Sequence, residues 1–115
     1  SAPFHTSLMR PAADRLAEQI EATQFNAPVT PVVHNVTAQT EADPKKIKAL
    51  MIEQIYSAVR WVECVNTLSA NGITTTVECG PGKVLSGLNK RINAELTTSS
   101  IEKSEEVAAV LASFQ

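Results

Sequence analysis

The sequence predicts a mixed α/β fold with a parallel sheet, and three observations carry that expectation. Short β-branched runs alternate with helical periods along the chain. Each later strand-like run leads through a turn into a helix, the order that helices packed on a parallel sheet require. Three short strands are also few for so many helices, because a parallel sheet needs both faces covered and its edges closed. Further strands are therefore expected upstream of Ser1, and the chain reads as a piece of a larger sheet domain.

Leu8, Ala12, Leu16 and Ile20 recur every four residues among Arg10, Asp14, Arg15, Glu18 and Glu21, predicting an amphipathic helix over residues 7–22. Ser7 is the expected N-cap, and Pro11 lies close enough to the first turn to be tolerated there. Asn26-Ala27-Pro28 breaks the period, and Thr30 to Val36 reads as a first strand. Asp43-Pro44 is a helix start, with aspartate capping and proline in the first helical position; Ile47, Leu50, Met51 and Ile55 form its apolar face. A further helix turns Trp61, Val62, Val65 and Leu68 inward and ends at Gly72 in a left-handed conformation. Ile73 to Cys79 is the second strand and Gly80-Pro81-Gly82 a tight turn, followed by a helix using Val84, Leu85, Leu88 and Ile92. Leu96 to Ile101 is the third strand, and Ser104 caps a last helix built on Val107, Val110, Leu111 and Phe114.

Composition narrows the function class. At 115 residues the chain is one domain at most, with a net charge of −2 and no basic block longer than Lys45-Lys46. Nucleic acid and anionic membrane surfaces demand clustered positive charge and are not expected as partners. No apolar run approaches a bilayer span and no signal-peptide pattern starts the chain, so a cytoplasmic location is expected. Cys64 and Cys79 lack CxxC spacing or a nearby histidine, and both are expected to be buried free thiols with no metal site.

Four places carry possible chemistry. His5 stands on a loop just ahead of a helix, where an imidazole can serve as a general base or simply sit in solvent. A base needs a nucleophile, yet the chain has no GxSxG elbow, and Ser86 does not fit a strand–turn–helix nucleophile. Gln54 is a polar residue on or beside an apolar helix face, either satisfied by backbone or touching a polar site. Gly80-Pro81-Gly82-Lys83 invites a phosphate reading, but the glycine spacing matches neither the dinucleotide nor the Walker pattern, and Pro81 removes a backbone donor. Lys90 and Arg91 close a helix whose dipole suits cations; they are a solvated end or a docking patch for an acidic partner.

Four motifs stand in order along the chain: SAPFHTSLMRPAA from Ser1, FNAPVTPVVHNV from Phe25, QIYSAVRW from Gln54 and ECGPGKVLSGL from Glu78. Taken together, in the same order and nearly the same spacing, they resemble the malonyl-CoA:acyl carrier protein transacylases of bacterial fatty acid synthesis. The same motifs occur more loosely in polyketide synthase acyltransferase domains. The resemblance implies the C-terminal part of an α/β-hydrolase-like parallel-sheet subdomain, residues 1–115 starting at the catalytic-histidine loop and incomplete without the upstream segment. It further implies that His5 is the general base and that the main-chain carbonyl of Gln54 orients its ring. Phe4 is implied to line the acyl pocket and favour malonyl over methyl-branched groups, and Lys90 and Arg91 to meet acyl carrier protein. Malonyl-CoA and phosphopantetheine are then substrates, with no bound cofactor. Its partners are the carrier protein and the missing N-terminal part of the same protein. The family's serine, its malonate-binding arginine and its oxyanion donors fall in segments that this chain does not match. The chain alone is therefore expected to be inactive. The alternatives are a non-catalytic fragment that binds carrier protein, and an acyltransferase domain of a polyketide synthase.

Overall fold

The computed structural model describes residues 2–115. The chain divides into two compact units, one running to Thr67 and the other from Leu68 to Gln115.

The first unit begins with a 3-10 turn, Ser7–Met9, that leads into α1, Arg10–Ala22. Ser7 is not the cap that its residue type suggests. A regular helix from Ser7 would ask Pro11 for an N–H it lacks, and the Ser7 carbonyl accepts from Arg10 instead. The α-helical ladder therefore starts three residues later, with Pro11 inside its first turn. α2, Pro44–Glu53, starts as expected: the Asp43 carboxylate accepts from the Lys45 N–H at 2.9 Å. α1 and α2 pack together. The Lys48 ammonium fastens them by donating to the Glu21 carbonyl at 3.1 Å while lying 5.3 Å from the centre of the Phe25 ring.

Residues 30–36 do not form the expected strand. A single antiparallel bridge joins Val33 to Thr40, and the chain reverses between them. His34 N–H donates to Gln39 at 3.0 Å and Ala38 N–H to His34 at 2.8 Å, with Ala38 in a left-handed conformation at φ 56°. Pro31 brings no donor to a ladder and the chain turns back after His34, so the β-branched residues of the run do not extend beyond the one bridge.

α3, Trp61–Ala70, begins in the first unit and ends in the second. It closes on Gly72 at φ +85°, with Gly72 N–H donating to Ser69 at 3.0 Å and Ile73 N–H to Leu68 at 3.1 Å. These two bonds form a Schellman motif.

The second unit holds β1, Thr75–Cys79, α4, Val84–Ile92, β2, Thr97–Ile101, and α5, Glu106–Ala112. β1 and β2 are parallel, in register from Thr75 opposite Thr97 to Cys79 opposite Ile101. The fold is thus mixed α/β with a small parallel sheet, two-stranded among the described residues rather than three-stranded. α4 packs on both strands and α5 on β2. Ser104 does not cap α5. The Glu106 carboxylate reaches back instead, accepting from Glu102 N–H at 2.7 Å and Lys103 N–H at 3.2 Å.

Ala13, Ile20, Ala38, Cys64 and Val65 are buried in the first unit and Leu96 in the second. Leu8, Leu16, Val62, Val84, Leu85, Leu88, Val107, Leu111 and Phe114, all expected to face a core, are exposed. The helical period that singled them out is present, but no layer among the described residues covers it. Leu8 and Val84 keep 73% of their surface accessible. Both thiols are free, as the spacing implied, but Cys79 is exposed at the last rung of β1. Cys64 is buried and donates weakly to the His34 carbonyl at 3.7 Å. Burial raises its pKa, more than the nearby Arg60 guanidinium lowers it, which keeps it an inert thiol.

Candidate active site

The turn before α1 delivers His5 in a left-handed conformation at φ 60°, a backbone state that side-chain-bearing residues rarely adopt. Thr6 holds the turn closed by donating its hydroxyl to the Pro3 carbonyl at 2.7 Å, and Met9 N–H donates back to Thr6 at 3.0 Å. Nearby, the Arg10 guanidinium lies 4.5 Å from the centre of the Tyr56 ring, tying the start of α1 to the turn after α2.

That turn supplies the acceptor. α2 stops at Glu53, and Ile55 and Tyr56 N–H donate back to Ile52 and Glu53, tightening the last turn. The Gln54 carbonyl is one of the helix-end acceptors that the ladder leaves over. It lies 2.8 Å from Nδ1 of His5. A carbonyl only accepts, so Nδ1 carries the hydrogen of the neutral ring and Nε2 keeps its lone pair. The arrangement can take a proton at Nε2 without moving the ring.

His5 borders a cavity of about 380 Å³ whose walls are mostly apolar, from Phe4, Met9, Ala12, Leu16 and Ile55, with Asn35 and Gln54 as the other polar residues. No serine or cysteine lines it. Phe4, 65% exposed, is therefore at the wall beside His5, and Gln54 meets His5 through its main chain.

Lys90 and Arg91 occupy the last turn of α4. The Lys90 ammonium is partly committed, donating to the Leu96 carbonyl at 3.1 Å, while Arg91 is exposed. After the Gly80-Pro81-Gly82-Lys83 turn, the first N–H donors of α4 that a phosphate would use are taken by the chain's own Glu78. Its carboxylate accepts from Ser86 N–H and Ser86 Oγ, both at 2.8 Å, and from Leu85 N–H at 3.3 Å. The Ser86 N–H holds this carboxyl below the usual carboxylate range, against some desolvation, with the Ser86 hydroxyl and Leu85 N–H adding to it. No group of His, Cys, Asp and Glu among the described residues is placed to hold a metal. None of the described helices is long and apolar enough to cross a membrane.

No family model matches the chain. Individual proteins do. The malonyl CoA-acyl carrier protein transacylase of Bacillus subtilis (strain 168) is 45% identical over 107 residues, covering 93% of this chain and 34% of that protein. Over nearly its whole length the chain is similar to part of the malonyl CoA-acyl carrier protein transacylases. It spans about a third of the length of the relatives it matches. An acyl carrier protein S-malonyltransferase from Vibrio cholerae O1 biovar eltor shares the fold with a TM-score of 0.87 and 48% identity, over 96% of this chain and 36% of that one. A malonyl-transacylase solved in complex with its type II PKS acyl-carrier protein gives a TM-score of 0.90 at 37% identity, over 98% of this chain and 37% of that one.

Two polar residues at or near the candidate sites are not singled out by the sequence. Glu78 opens the ECGPGK stretch, but its place under the first turn of α4 depends on the strand–turn–helix geometry that brings it there. Asn35 sits between His34 and Val36 in a run read as a strand, where alternation gave no reason to separate it from its neighbours.

Proposed function

We propose that this chain is the C-terminal, histidine-bearing part of a malonyl-CoA:acyl carrier protein transacylase and that His5 is its general base. The observation that carries the reading is the 2.8 Å approach of His5 Nδ1 to the Gln54 carbonyl, which leaves Nε2 as the ring's acceptor beside a cavity lined by no serine or cysteine. The homology over a third of the relatives' length supports it. In this reading a serine from the remainder of the parent protein attacks the malonyl thioester. His5 Nε2 takes the serine proton and returns it to the departing CoA thiolate. The second half-reaction runs the same steps in reverse: the phosphopantetheine thiol of acyl carrier protein gives its proton to His5, and serine leaves with it. Phe4 narrows the acyl pocket, and the basic end of α4, Arg91 more than the partly committed Lys90, receives the acidic carrier. The complex in which a relative's malonyl-transacylase holds an acyl-carrier protein supports that partner. A cytoplasmic protein with no bound cofactor fits this reading.

The test is the complete reading frame. It should encode a GHSxG elbow upstream of Ser1, and its product should move malonyl from CoA to carrier protein while the 115-residue chain alone does not. A frame without the elbow defeats the proposal. In that event the alternative of a binding fragment gains ground, and titration of the chain with carrier protein decides it.

A further inference from the structure

Of the three polar residues lining the His5 cavity, His5 and Gln54 meet each other through the Gln54 carbonyl, and Asn35 is the third. Its main chain is firmly placed. The Asn35 carbonyl accepts from Arg60 N–H at 3.0 Å, and the Arg60 guanidinium donates to the next carbonyls, Val36 at 3.3 Å and Thr37 at 3.4 Å. On the other side, the His34 N–H and carbonyl are both engaged by the reversal at Gln39 and Ala38. The loop is therefore pinned on both flanks, and Asn35 cannot withdraw from the cavity without breaking these bonds.

The side chain is different. Asn35 is half-buried, yet its carboxamide has no hydrogen-bond partner among the described residues. Its polar atoms are reachable from solvent, so donor and acceptor are both free to meet an incoming polar group. Asn35 borders both the cavity of His5 and a neighbouring one of about 450 Å³, so a chain-like ligand entering either would pass it. The surrounding walls, Phe4, Met9, Leu16 and Ile55, suit an aliphatic arm and offer it no hydrogen bonds.

Resting on the transacylase reading, we infer that Asn35 is a substrate-positioning residue: its carboxamide pairs with an amide of the pantetheine arm and so sets how far the sulfur end reaches toward His5. A pantetheine arm is aliphatic with secondary amides spaced along it, each offering one donor and one acceptor. A carboxamide matches that pair, and an apolar wall matches the rest.

The test uses the complete protein and two malonyl donors, malonyl-CoA and the malonyl thioester of ethanethiol, which has no amide. Asn35→Ala should lower kcat/KM for malonyl-CoA by about threefold to tenfold, the size expected for one lost neutral hydrogen bond, and leave the ethanethiol thioester unaffected. An equal loss on both donors, or no loss on malonyl-CoA, overturns the assignment. A wild-type protein that transfers malonyl from neither donor overturns the transacylase reading and the assignment with it. The wild-type protein also gives a check that needs no variant: the side-chain amide resonance of Asn35 should shift when pantetheine is added, and an unmoved resonance at saturation counts against the pairing.

Discussion

At the scale of single residues, the proposed chemistry is divided between a side chain and a main chain. His5 contributes the imidazole, while Gln54 contributes a carbonyl that any residue would have. In the complete protein, His5→Ala should therefore lower transfer by about a hundredfold to ten-thousandfold, the usual worth of a positioned base. Gln54→Ala keeps the acceptor and should cost less than about tenfold. Single-turnover rates of malonyl transfer check both, and equal losses would show that the glutamine side chain matters as much as its backbone. The contact was legible only through resemblance, because no periodicity links residues 49 positions apart. Asn35 was illegible for a related reason. The role proposed for it rests on which cavity a reversed loop borders, and sequence spacing does not carry that.

Helices were more legible than strands, and their ends show why. Asp43 and Gly72 act through local geometry, so the sequence alone places them. Ser7 and Ser104 have the residue type of a cap, but Pro11 and Glu106 decided where the helices begin. The run at residues 30–36 had β-branched composition, but Pro31 and the reversal after His34 outweighed its valines. Gly72→Ala should destabilise by about 1 kcal/mol from backbone strain, since φ is +85° and no heavy atom lies within 4 Å of an added Cβ. Chemical denaturation measures that directly. Glu78 works at the scale of an element too, joining β1 to the first turn of α4. Its folded pKa is depressed, so its contribution is fully present above the ordinary carboxylate range and disappears as pH falls through the lowered value. Glu78→Gln should lower the melting temperature at neutral pH and flatten the acid limb of the stability profile. An unchanged acid limb would assign the acid sensitivity elsewhere, Glu106 being the next carboxyl held low by backbone N–H donors, those of Glu102 and Lys103.

Across the whole molecule, the helical patterns specify more apolar surface than the described residues bury. Phe4, Leu8 and Leu16 in the first unit and Val84, Leu111 and Phe114 in the second are all exposed. Exposed surface of this kind attracts other apolar surface. The isolated chain should bind 8-anilinonaphthalene-1-sulfonate at neutral pH and sediment as more than a monomer, and the complete protein should do neither. A monodisperse chain that leaves the dye dark would mean that these side chains close over one another in solution.

The carboxylate under α4 has one more consequence. Glu78 is tethered a few residues from the helix it serves, so it is present there at an effective concentration that free anions in a buffer do not reach. Phosphate or sulfate therefore gains nothing at this helix start. A nucleotide approaching the glycine turn meets a resident negative charge instead of an open cradle.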